Sequence, residues 1–142
     1  MKIIIVGAGE VGRHLAVCLS KEAHSIAIIE ENETLAEEID KQVDALVLAG
    51  DGASVNTLVE STVVINADAT SLSELREEQV ERADFFVATS ISDEDNVMTC
   101  LQAHNLGAKH CLTLVHRADY ADAMFAMVTS KARHKFLRLI AK

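Results

Sequence analysis

The apolar positions of this chain fall into short runs separated by stretches of helical spacing, and that alternation predicts its elements. Ile3 to Val6 is a β-branched run too short for a helix, the pattern of a strand buried on both faces. Val11, Leu15 and Leu19, joined by Ala16 and Cys18, recur three and four residues apart, which predicts a helix running to about Lys21. Ser25–Ile29 is a second apolar run, closed by Glu30-Glu31. Leu35, Ala36, Ile39 and Val43 supply a second helical face, with Asn32 or Thr34 as N-cap and Thr34-x-x-Glu37 as a capping box. Further strands are expected over 44–49, 84–90 and 110–115. Between the last two, Ser92 opens a helix carrying Val97, Met98, Leu101 and Leu106, and Gly107 stops it. Asp93, Glu94 and Asp95 in its first turn read as complements to the helix dipole. Phe125, Val128, Ala132, Phe136 and Leu139-Ile140 recur at three- and four-residue spacing, predicting an amphipathic helix over 125–142. Strand and helix thus alternate, so the fold class is α/β, a doubly wound parallel sheet with helices on both faces and right-handed crossovers.

One stretch breaks the alternation. Val47-Leu-Ala-Gly-Asp51-Gly-Ala-Ser54 through Leu58 and Glu60 aligns with Val64-Ile-Asn-Ala-Asp68-Ala-Thr-Ser71 through Leu75 and Glu77 at an offset of 17. Each copy reads as strand, acidic turn and short helix, the second with a capping box in Ser71-x-x-Glu74. A doubly wound unit needs only one such element here. One copy is therefore an extra strand, a partly irregular insertion, or the mark of a join.

Between the first strand and the first helix stands Gly7-Ala8-Gly9-Glu10-Val11-Gly12, a GxGxxG. Gly7 suits a tight turn out of the strand, Gly9 a close approach of backbone to a pyrophosphate, and Gly12 close helix–sheet packing. The following helix aims free N–H groups and its positive end at the phosphates. Glu30 lies 18 residues past Gly12, where a Rossmann unit puts the carboxylate that receives the adenosine ribose hydroxyls. A carboxylate there disfavours a 2′-phosphate, so NAD or an adenine nucleotide fits better than NADP. Asp51, between Gly50 and Gly52 at the end of the third strand, is a candidate for adenine or ribose contact and equally a plain turn residue.

Composition narrows the function further. The 142 residues suit one domain or a domain with an appendage, and 49% are hydrophobic, enough for a sizeable core. A net charge of -9 and five aromatics, with no Trp, argue against a nucleic-acid binder. Lys131, Arg133, Lys135, Arg138 and Lys142 concentrate positive charge at the end of the chain. Cys18, Cys100 and Cys111 show no metal-ligand spacing and suit a reducing cytosol as buried thiols. No signal peptide or membrane span is evident, so a cytoplasmic location is expected. The six histidines show no paired spacing, and no nucleophile elbow or HExxH is present. About 25 residues follow the last predicted strand, too few for the substrate domain of a dehydrogenase. A dinucleotide fold without catalytic groups points to a sensor.

VGAGEVG, IAIIEEN, LAGDGAS and VERADFFVATSISDEDNVMTCLQAHNLGAKHCLTLVHRADYAD together resemble the KTN or RCK (TrkA-N) domains of Trk potassium-uptake regulators, over residues 1–124. The resemblance implies a cytosolic, non-catalytic nucleotide-binding subunit that senses NAD(H), or ATP or ADP, and gates a membrane potassium transporter, to whose inner face it would be peripheral. It implies a homodimer or higher oligomer, for which the 125–142 helix would be a seam. It implies that Gly7, Ala8, Gly9, Glu10 and Val11 cradle the phosphates and that Glu30 holds the ribose. Asp51 with Gly52, or Asp68, would lie near the adenine, and the glycine-flanked Asp51 is preferred. Thr89, Ser90, Asp95 and Asn96 would flank the nicotinamide side, and Arg117 the end of the last strand. Residues 1–60 resemble a first unit up to its third strand and 61–124 a second unit from its third strand onward, which puts a seam near 60–62. The alternative is an NAD-dependent oxidoreductase subunit whose catalytic part lies elsewhere, to be told apart by turnover. No metal site is expected.

Overall fold

In the computed structural model, residues 1–43, 45–48, 62–66, 72–77, 79–121 and 136–140 are described. The elements run β1 (Lys2–Val6), α1 (Glu10–Leu19), β2 (Ser25–Glu30), α2 (Glu33–Asp40), β3 (Ala45–Leu48), β4 (Thr62–Asn66), α3 (Leu72–Glu77), a 3-10 turn (Val80–Arg82), β5 (Phe85–Ala88), α4 (Asp93–Leu106), β6 (His110–Val115) and β7 (Phe136–Ile140). The strands form one sheet in the order β3-β4-β2-β1-β5-β6-β7, and every neighbouring pair is parallel.

The Ile3–Val6 run is buried along its whole length because successive side chains serve opposite layers. Ile4 and Val6, with Ala27, Ile29 and Phe86, pack beneath Leu75 of α3 and Cys100 and Ala103 of α4. Ile3 and Ile5, with Ile26 and Ile28, pack against Ala16 of α1 and Ala36 and Ile39 of α2. A strand covered on both sides has no polar face, which is why it reads as a continuous apolar run. Winding reverses between β1 and β5, and a cleft opens at the carboxyl ends of the strands there, the usual ligand position in open α/β sheets.

The extra copy is an extra strand. β4 takes the place beside β2, with Ile26 opposite Thr62 and Glu30 opposite Asn66, and β3 is displaced to the sheet edge. β3 and β4 pair Ala45 with Thr62 and Val47 with Val64, which is the 17-residue offset of the sequence repeat. The two copies therefore lie side by side with equivalent residues in register. The turn and helix expected of the first copy, residues 60 and 61 of the expected seam, and Asp51, Gly52, Asp68 and Ser71 of the expected capping box lie outside the described residues.

Of the two N-cap candidates for α2, Asn32 is the cap, its Oδ1 accepting from the Leu35 N–H at 3.1 Å. One local expectation changes. The expected C-terminal helix is a strand over its described part, since Phe136–Ile140 is β7 and registers Phe136 with Cys111 and Ile140 with Val115. A spacing of four fits period 2 as well as period 3.6, and the free parallel edge of β6 decided between them. With that strand goes the helical stripe through Phe136 and Ile140 that had suggested an oligomer seam.

Candidate functional site

The cleft is built around the turn that follows β1. Gly7 has a φ of +92°, a left-handed conformation that favours glycine, and a Cβ there would stand 2.9 Å from the Ser90 amide nitrogen. Gly12 is tighter still: a Cβ would overlap the Gly7 carbonyl oxygen and lie 2.6 Å from Thr89 Oγ1. Gly9 is the opposite case. It is the N-cap of α1 with extended backbone, and among the described residues a Cβ there would meet nothing within 4 Å. As far as those residues go, the space in front of it is open. The Arg13 N–H, donating to the Gly9 carbonyl at 2.9 Å, is the first intrahelical bond of α1, so the amides of Glu10, Val11 and Gly12 precede it and face the helix mouth. Open space at a helix N-terminus bordered by such amides suits a phosphate.

Glu30 ends β2 and is 9% exposed. Its Oε2 accepts the Ala8 N–H at 2.6 Å and its Oε1 the Asn32 N–H at 2.8 Å. One carboxylate thus ties the glycine turn to the start of α2. From the other side of the cleft, Thr89 Oγ1 shares its hydrogen between the Val6 and Gly7 carbonyls at 2.9 and 3.1 Å. The Thr89 N–H donates to the same Val6 carbonyl. The turn is held from both flanks before any ligand arrives.

A cavity of about 380 Å³ follows, lined by Val6, Gly7, Gly9 and Ile29 at its floor, Glu30, Glu31 and Leu35 on one side, and Thr89, Ser90, Ile91, Ser92, Asp95 and Thr99 on the other. Of the expected site residues, Gly7, Gly9, Glu30, Thr89, Ser90 and Asp95 are brought together here. Ala8 joins them through its bond to Glu30. Glu10 and Val11 line instead an apolar cavity of about 560 Å³ beside α1 that also takes in Leu15, Phe85 and Leu114. Asn96 is a clamp: its Oδ1 accepts the Ser90 N–H at 2.7 Å and its Nδ2 donates to the Ser90 and Leu114 carbonyls at 2.9 and 3.1 Å. Arg117 pairs with Asp119 at 3.1 Å and lies over the Tyr120 ring at 5.7 Å, and it does not line the cavity.

Asp93 proves to be more than a dipole complement. Its carboxylate is buried at the start of α4 and accepts from the His116 N–H at 2.8 Å, His116 Nδ1 at 2.9 Å and the Arg117 N–H at 3.0 Å. Burial alone raises a carboxyl pKa, but the bonds from His116 and Arg117 outweigh it and hold Asp93 below the ordinary range. The group clasps the mouth of α4 to the end of β6. Leu35, Ile91 and Thr99 were not anticipated at the cleft. Ile91 is 96% exposed, an apolar β-branched side chain in the polar SISDED run, and that mismatch was its one visible signal. Among the described residues no group of side chains could hold a metal ion, and no helix is long and apolar enough to cross a membrane.

A parallel sheet, a reversal point and a glycine turn feeding an open helix mouth define a Rossmann-type α/β domain. The resemblance can be made specific. The chain belongs to the TrkA-N domain family, whose model matches residues 3–63 and again 59–134, two matches that meet at the repeat. A "Trk system potassium uptake protein TrkA homolog" of Archaeoglobus fulgidus is 35% identical over 122 residues, 86% of this chain and 24% of that protein. The "Trk system potassium uptake protein TrkA" of Halomonas elongata is 33% identical over 121 residues, 85% of this chain and 23% of that protein. The chain therefore spans about a quarter of the length of these curated relatives. Among solved structures, the NAD(P)-binding domain of an exopolyphosphatase-related protein from Archaeoglobus fulgidus superposes with a TM-score of 0.69 at 14% identity, covering 98% of this chain and 86% of that one. A β-ketoacyl-[ACP] reductase from Bacteroides thetaiotaomicron does so with a TM-score of 0.64 at 15% identity, covering 99% and 77%. At such identities the likeness is one of fold.

Proposed function

We propose that this chain is a nucleotide-binding regulatory unit of a Trk-type potassium uptake system, binding NAD(H) or an adenine nucleotide without transforming it and passing its ligand state to a membrane potassium transporter. The observation that carries the reading is the open space at Gly9, at the N-terminus of α1 and flanked by Glu30. The phosphates sit against the amides of the glycine turn and first helical turn, and Glu30 takes the ribose hydroxyls. Thr89, Ser90 and Asp95 border the far end, where a nicotinamide or terminal phosphate lies. Gating requires that the ligand bind two states of the assembly with different affinity.

The sheet order bears on the duplicated turn. Asn66, the last residue of β4, is the partner of Glu30, and Asp68 follows two residues later in sequence, whereas β3 lies one strand farther out. This favours Asp68 over Asp51 as the adenine-side residue, the reverse of the preference drawn from flanking glycines. A join of two related units near 60–62 accounts for both the in-register repeat and the double match to the family model. Assembly into a homo-oligomer and a peripheral position at the cytoplasmic face belong to the same proposal.

Calorimetric titration of the purified chain with NAD, NADH, ATP and ADP, with NADPH as control, tests it. Micromolar binding with NADPH much weaker is the expected result. Oxidation or reduction of nicotinamide with a candidate substrate would favour the oxidoreductase alternative instead, and a folded chain that binds none of them would end the nucleotide reading.

A further inference from the structure

We infer that Cys18 is a reversible thiol-modification site that exchanges with small disulfides to form a mixed disulfide, with His14 as the base that takes the thiol proton. The inference stands apart from the nucleotide reading and rests on the outer face of α1.

The three cysteines, expected together as buried thiols, are separated by the structure. Cys100 and Cys111 lie in the core between α4 and the sheet, 0% and 1% exposed. Cys100 Sγ donates to the Leu112 carbonyl at 3.2 Å, and burial pushes its thiol pKa up. Structural thiols of that kind are inert. Cys18 is exposed, and the helix period is the reason. Gly12 and Ala16 form the inward stripe of α1, and both are buried. His14 and Cys18 each stand two residues further on, about 200° around the axis, and both are exposed.

Exposure makes the thiol accessible, and its neighbour gives it chemistry. Residues four apart meet on a helix surface, and each Cα–Cβ bond tilts toward the helix N-terminus, so the Cys18 thiol leans back over His14. Cys18 Sγ and His14 Nε2 are 3.7 Å apart, a nucleophile with a base in hydrogen-bonding reach. Nε2 accepts from the thiol in the neutral ring that carries its hydrogen on Nδ1. Glu10 and Arg13 are the other ionisable groups of α1, and Lys21 and Glu22 follow beyond its end; of these groups His14 is the one bonded to the thiol. Cys18 lies in the last turn of α1, where the negative end of the helix dipole disfavours a thiolate. Transfer of the Sγ hydrogen to Nε2 offsets that penalty by setting an imidazolium beside the thiolate. The thiolate attacks one sulfur of a disulfide R–S–S–R. A new S–S bond forms to Cys18, the old one breaks, and the leaving RS⁻ takes the proton from His14 to become RSH. Cys18 is oxidised and the disulfide reduced in the same step, and a second thiol reverses the exchange.

The test treats the folded chain with an aromatic disulfide that releases a coloured thiolate, follows the absorbance, and maps the modified peptide by mass spectrometry. Cys18 should react in the folded chain, and Cys100 and Cys111 only after unfolding. Cys18→Ser should remove the fast phase, and a reductant should restore the unmodified mass of the wild type. His14→Phe and His14→Gln should each slow the reaction about threefold or more at about pH 7, the gap closing above about pH 9, where an ordinary thiol with a pKa of about 8.5 has ionised unaided. Gln keeps a polar neighbour without a base, so it separates proton transfer from packing. Both substituted side chains are exposed, and circular dichroism confirms that each variant is folded. A wild-type rate in His14→Gln at the lower pH, modification of Cys100 or Cys111 in the folded chain, or three thiols reacting at one rate would overturn the inference.

Discussion

Gly9 and Gly12 stand three residues apart in one motif, yet their surroundings differ completely. Among the described residues nothing lies within 4 Å of a Cβ at Gly9, whereas one at Gly12 would overlap the Gly7 carbonyl. Gly9→Val should therefore leave the melting temperature of the free chain nearly unchanged and abolish nucleotide binding. Gly12→Ala should lower stability by about 1–3 kcal/mol, as overpacking a closed contact does, measured by chemical unfolding. Glu30→Ala removes both the anchor of the Ala8 amide and the proposed ribose acceptor, and calorimetry should show binding weakened by roughly 1–3 kcal/mol; full retention would remove the ribose role from Glu30. That the motif glycines and Glu30 meet at one turn was legible from their spacing. Asn96 and Arg117 were not, since a resemblance names a position and not the partner its side chain finds. Asn96 clamps Ser90 and Leu114, and Arg117 turns to Asp119.

At the scale of elements, the sheet depends on ties between strand ends that no periodicity announces. Asp84, just before β5, accepts the Lys2 N–H at 2.8 Å and pairs with Lys109 Nζ at 2.6 Å, joining β1, β5 and the approach to β6. Asp93 does the equivalent at the carboxyl end. Because its folded-state pKa lies below the ordinary value, Asp93 contributes stability that is present above about pH 4 and is lost as pH falls through the lowered pKa. Asp93→Asn should cost about 1–3 kcal/mol at neutral pH and flatten the acid limb of a stability-against-pH curve. Unchanged unfolding at both pH extremes would mean that the clasp does not stabilise the fold. Element type was legible wherever an apolar run and a helical stretch differed in period, as in β1 and α1. It was misread at Phe136–Ile140, where four-residue spacing satisfied both periods and the docking edge of β6 could not be seen.

At the scale of the molecule, the repeat has become geometry: two copies of one strand pair at the offset that separates them in sequence. Since β4 already occupies the place beside β2, β3 adds an edge. Deleting the 17 residues 45–61, one repeat length, should give a shorter chain that folds cooperatively and keeps its nucleotide affinity within about threefold. A chain that no longer folds would show that β3 is integral. The duplication itself was visible from sequence, but which copy lies inside depends on pairing across the sheet, which one-dimensional pattern does not contain.

The most direct test of the account is a fluorescence titration of NADH into wild-type protein and into Gly9→Val, with circular dichroism to confirm that both are folded. The chain has no Trp, so the nicotinamide signal is free of tryptophan energy transfer. Saturable enhancement in the wild type that vanishes in Gly9→Val is what an open phosphate seat at the glycine turn predicts. Enhancement of equal size and midpoint in both, or none in the folded wild type, would contradict it.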